Sequence, residues 1–131
     1  MIQRLSKRIN GSEREGGFTL IELLVVIIII GILLAIAIPS YLKFRDRANE
    51  SAAKANVRAS IPGIEAYYAD NNSYVGATLA NIQASYDAGI KNITFGATAP
   101  SATTYCIQST VGSYTFFKNG PGADIVSGPC P

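Results

Sequence analysis

One segment limits what this chain can become. Phe18 to Ile38 reads FTLIELLVVIIIIGILLAIAI, 21 residues interrupted only by Thr19, Glu22 and Gly31. As a helix it spans about 31 Å, close to the roughly 30 Å of a bilayer's hydrocarbon core. A helix this apolar on every face has no side to offer to water. We read it as membrane-inserted. Inside it stands a carboxylate, Glu22. A lone carboxylate in hydrocarbon costs about 2.5–3.5 kcal/mol on insertion scales. It needs a partner or a proton, unless it sits near the headgroups and needs neither. No basic side chain lies within the segment.

The residues before the segment are polar. Residues 1–17 hold four of the 11 basic residues and two of the nine acidic ones, so the rest of the chain balances to zero. A neutral body lacks the self-repulsion that keeps copies apart. A secretory signal is cut after its apolar stretch, beside small residues. Here the small-residue border, Gly16-Gly17, precedes it. A cut there removes the charged leader, keeps the helix and leaves Phe18 as a new N-terminus with a free amine. An uncut signal-anchor is the alternative. The leader's positive charge places it weakly on the cytoplasmic side, because Lys43, Arg45 and Arg47 follow the helix closely.

Behind the anchor lies a small domain with two cysteines, Cys106 and Cys130. An even pair outside the membrane suggests a disulfide in an oxidising compartment; two free buried thiols are the alternative.

Gly17-Phe18-Thr19-Leu20-Ile21-Glu22 and the apolar run after it resemble the prepilin signature of type IV pilins and of the pseudopilins of type II secretion. The resemblance implies a prepilin peptidase that cleaves between Gly17 and Phe18 and methylates the Phe18 amine. It implies that Glu22 meets that amine on a neighbouring subunit and sets the axial offset during assembly; one helical turn separates residues 18 and 22, so an internal pair is the alternative. It also marks Gly31 and Pro39 as the ends of a stretch that can unwind in a filament. A simple bend at Pro39 is the other reading. The leader, which is rather long and contains acids, departs mildly from the family's short basic one.

From Ser40 the pattern turns amphipathic. Tyr41, Phe44, Ala48, Ala52, Ala55 and Ala59 form one stripe; Val57, Ile61, Ile64 and Tyr68 form a second. Glu50 and Lys54 stand at a favourable spacing. Pro62-Gly63 predicts a kink or short break, with the helix resuming to about Asp70. Leu79, Ile82 and Tyr86 suit a short helix. Residues 92–98, 103–109 and 113–118 read as three antiparallel strands, and residues 119–124 as a loop before the tail. The domain plan is a leader (1–17), a transmembrane assembly helix (18–39), its amphipathic second half (40–74) and a β-rich domain with a disulfide (75–131). The fold expected is α+β: a long N-terminal helix packed on a small antiparallel sheet, as in type IV pilins.

The chain has no histidine and no clustered cysteines, so neither a zinc site nor another metal or cofactor site is expected. No nucleophile has a base, and we expect no enzyme. Lys91 and Lys118, beyond the helix, make no dense basic patch for DNA, although a filament repeats each charge many times. The resemblance implies a homopolymer: a major pilin assembled into an extracellular filament for adhesion, twitching motility or DNA uptake. Its partners would be the peptidase, an assembly ATPase, an inner-membrane platform protein and, before assembly, the membrane. The rival readings are a secretion pseudopilin and a membrane-anchored monomeric binding domain.

Overall fold

The computed structural model describes residues 17–131. Helix α1 runs from Leu20 to Asn71, 52 residues. The chain divides into two compact units between Tyr41 and Leu42. The first holds the apolar part of α1, long and apolar enough to cross a membrane. Its side chains lie bare, from Leu20 at 85% exposed to Ile38 at 52%. Such a surface suits lipid or other copies rather than water.

The second unit is the α+β body. After α1 come α2 (Leu79–Ser85) and four strands: β1 (Thr94–Phe95), β2 (Cys106–Val111), β3 (Tyr114–Asn119) and β4 (Ile125–Ser127). The sheet is an antiparallel meander in the order β1-β2-β3-β4. Gly112, at φ +60°, opens the two-residue β2–β3 turn, a conformation that glycine adopts without a Cβ clash. Thr78 caps α2, its side chain accepting from Asn81 N at 3.2 Å.

The core gathers Val57 and Ile64 of α1, Tyr74, Ala77, Ile82, Ile90 and Ile93 of the connection, and Tyr105 and Ile107 of the β2 region. The α1 face that enters it is Ala53, Val57, Ser60, Gly63 and Ile64. The alanine stripe takes no such place: Tyr41, Phe44, Ala48, Ala55 and Ala59 are exposed and Ala52 is half-buried.

Two local expectations are corrected. Pro62-Gly63 does not break α1, which runs continuously through it. Pro62 forfeits one backbone bond, while Gly63 is where the connection packs closest. A Cβ there would lie 2.7 Å from Ile90 Cδ1 and 3.0 Å from Ile82 Cγ2. Packing on both sides of the turn outweighs the local propensity. Second, the tail contains a strand, β4, too short to announce itself by alternation. Lys118 is buried at 6% exposed, and its Nζ donates to Pro121 O at 3.0 Å and to Ala123 O, tying down the 119–124 loop.

Strand ends also move. Before β2, Ser101 N donates to Thr104 O, and Ser101 Oγ accepts from Thr103 N and Thr104 N. That turn takes the residues expected to begin the strand. Cys106 and Cys130 form a disulfide, Cα–Cα 5.9 Å, joining the start of β2 to the tail. Cys130 N donates to Gln108 Oε1 at 2.7 Å, so the tail is held to β2 twice.

Candidate functional site

The candidate site is the first turn of α1. Thr19 N donates to Glu22 Oε2 at 2.8 Å, and Glu22 N donates to Thr19 Oγ1 at 3.3 Å. This is a capping box, in which two backbone donors orphaned at a helix start are satisfied reciprocally. Glu22 therefore has a partner within its own chain, a backbone donor rather than a cation. The signal was in the sequence: a threonine three residues before a glutamate, ahead of an apolar run. The box also aims a negative charge at the positive end of the helix dipole.

Phe18, 92% exposed, precedes the box directly. Phe18, Glu22, Leu23 and Val26 line one hollow on this turn. The leader expectation, apart from Gly17, lies outside the described residues. A Cβ on Gly17 would meet nothing within 4 Å, and the same holds for Gly31. Crowding inside the chain therefore explains neither glycine. Gly31 and Pro39 both lie within the continuous α1.

The body has a polar centre of its own. Tyr74 Oη donates to Glu65 at 3.0 and 3.1 Å, and Tyr105 Oη donates to Glu65 Oε1 at 3.4 Å. Burial first, then the Glu65 carboxylate, pushes the Tyr74 phenol up to about 12 and raises that of Tyr105 too. Both phenols stay neutral donors near neutral pH, and they link α1 to the connection and to the β2 region. Lys54 Nζ pairs with Glu50 Oε1 at 2.9 Å, as the spacing predicts, and lies 4.7 Å over the Phe116 ring. No group of three or more metal-ligating side chains occurs among the described residues.

Residues 13–38 match the family described as the prokaryotic N-terminal methylation motif. The chain is 43% identical over 110 residues to the type IV wide pilus major component PilA4 of Thermus thermophilus, covering 83% of this chain and 84% of that protein. It is 32% identical over 109 residues to the type IV narrow pilus major component PilA5 of the same organism, covering 82% and 90%. A shorter match, 38% over 62 residues, is to the type II secretion system core protein G of Pseudomonas aeruginosa, covering 47% of this chain and 44% of that protein. The long matches take in the body as well as the motif. A bare apolar helix with a capped carboxylate at its start, a meander sheet behind it and identity running through both identify the family: the chain belongs to the type IV pilins.

Proposed function

We propose that this chain is a major pilin, a structural subunit rather than an enzyme, which polymerises through the apolar half of α1. The observation that carries this reading is the 43% identity to a major pilus component over most of both chains. As a type IV pilin, the chain is held in the membrane as a precursor by its N-terminal helix and is extracellular in the mature filament.

The capping box gives assembly a physical route. Cleavage between Gly17 and Phe18 creates an ammonium one residue before the Thr19 N–H that Glu22 already accepts. Methylation leaves that amine charged. Glu22 then exchanges a backbone donor on its own helix for the Phe18 amine of a neighbour, and the pair fixes the offset between subunits. The bond given up is already charge-assisted; the exchange is favoured because it sets two full opposite charges against each other where little water screens them. The prepilin peptidase makes the cut, and an assembly ATPase and an inner-membrane platform protein lift the subunit out. The stretch from Gly31 to Pro39 unwinds as the filament extends. Adhesion, twitching motility or DNA uptake is the output.

A pseudopilin role is the second reading, favoured by the match to the secretion core protein. Intact-mass and N-terminal analysis of material sheared from cells tests both. An N-methylated Phe18 terminus in long filaments supports the major pilin. The same terminus confined to short periplasmic assemblies supports the pseudopilin. A retained Met1 with an empty sheared fraction overturns both.

A further inference from the structure

Three cations, Lys43, Arg45 and Arg47, follow the apolar run closely, the first of them five residues after Ile38. All three are exposed. At about 100° per residue, Lys43 and Arg47 lie about 40° apart, and Arg45 lies about 160° from both. The charge therefore forms a ring round α1 and not a stripe along one side. Phe44, 70% exposed, falls in the gap between Arg47 and Arg45. Asp46, half-buried, is the one acid in this stretch and stands in the other gap. Among the described residues Lys54–Glu50 is the one ion pair, and none of the three cations has an ionic partner there. Three basic residues against one acid leave the stretch from 43 to 47 at +2. These charges also work against the anchor's orientation, because they blunt the asymmetry between its two ends.

We propose that Lys43, Arg45 and Arg47 bind the phosphates of anionic phospholipid in the leaflet from which the body emerges, and so fix the depth of the precursor in the bilayer. Charge complementarity is the first argument. Continuity with the span is the second. Five helical residues rise about 8 Å, and the headgroup layer on each side of the hydrocarbon core is about 5–8 Å deep. The ring itself is about 6 Å tall, so it fits within that layer. Its shape is the third argument: a partner protein touches one side of a helix, whereas a bilayer surrounds it. Long basic side chains can lay their stems on apolar surface and keep the charge among phosphates. Phe44, with Tyr41 three residues before it at 63% exposed, supplies the aromatic groups that settle at a membrane interface. With Tyr41 at one border of the core, Glu22 lies about 29 Å along the helix, at the other border. The ring thus keeps that carboxylate beside the far headgroups. The inference rests on the membrane span and is independent of the filament reading.

The test places the full chain in lipid nanodiscs, either of phosphatidylcholine alone or with about a third phosphatidylglycerol. Amide hydrogen exchange, read by mass spectrometry, is followed across residues 41–50. Anionic discs at low salt should slow exchange there by about threefold to tenfold relative to neutral discs, since each basic residue near an anionic surface strengthens binding by about fivefold. About 0.5 M salt should bring the two discs within about twofold. The triple variant Lys43→Gln, Arg45→Gln, Arg47→Gln should show no difference between discs. The charge-keeping triple Lys43→Arg, Arg45→Lys, Arg47→Lys should retain at least about threefold slowing. Lys91→Gln, which removes a cation from the body, should behave as the parent does. Equal exchange in the two discs for the parent, or slowing that survives in the glutamine triple, would overturn the proposal. So would inorganic phosphate that slows exchange in neutral discs as strongly as phosphatidylglycerol does, because the ring would then be a site for free anions. A chain that inserts into neither disc would refute the span on which the inference rests, and a chain that inserts but forms no filament in cells would refute the pilus subunit reading alone.

Discussion

Gly63→Ala isolates the reason for a glycine in the middle of a helix. In an exposed helix interior the change stabilises by about 1 kcal/mol. At position 63 the new methyl would sit 2.7 Å from Ile90 Cδ1, 3.0 Å from Ile82 Cγ2 and 3.3 Å from Asp87 Cβ. Ile90 can swing its terminal methyl. Ile82 cannot easily move Cγ2, which branches from Cβ in a fully buried side chain. Overpacking of this kind costs about 1–3 kcal/mol. The two effects oppose, and we expect a net loss of about 1 kcal/mol, or a Tm lower by about 4–8 °C for a body of this size. Thermal unfolding of the full chain in detergent, followed by near-ultraviolet circular dichroism, reads the body's packing. Ile90→Val removes the nearest atom, so it should cost less in the alanine background than in the parent, with a coupling of about 0.5 kcal/mol or more. An alanine variant as stable as the parent, or strictly additive double-mutant values, would refute the crowding argument.

Replacing both Cys106 and Cys130 by alanine should lower body stability by about 3.5 kcal/mol, from the loop the bridge closes; chemical denaturation checks it. Stability should fall as pH rises from 10 towards 12, because the raised Tyr74 phenol favours the fold only while it is protonated. Ultraviolet titration should show late phenols, one of which is lost in Tyr74→Phe and the other in Tyr105→Phe. Lys118→Met should cost about 1–2 kcal/mol by leaving two carbonyls without their donor, with faster amide exchange confined to Gly122–Asp124. Thr19→Ala should fray the first turn of α1 at a cost of about 1 kcal/mol, while Thr19→Ser keeps the capping box; amide exchange in micelles separates them.

The sequence announces the parts of this molecule that rest on long patterns. The apolar run, the single carboxylate within it and the late cysteine pair are each visible without coordinates, and the bridge is formed. What escapes is decided by a partner far along the chain. Pro62-Gly63 reads as a stop because local propensity cannot know that Ile82 and Ile90 arrive at that turn. The burial of Lys118 has no local signal, because the two carbonyls that accept from it, three and five residues later, reach it only when the loop folds back. β4 is three residues long and exists through its pairing with β3. The Thr19–Glu22 box differs, since its three-residue spacing is visible in the sequence and the partner of Glu22 is the backbone donor next door.

The meander also bears on how fast the body folds. Each strand pairs with its neighbour in sequence, and every sheet contact falls between Thr94 and Ser127. Low sequence separation shortens the loops that must close before contacts form. Only the links from α1, such as Asn56 to Ser109 and Glu65 to Tyr105, reach across 40 residues or more. The sheet can therefore nucleate from the last part of the chain alone, and docking on the helix becomes the late, slow event.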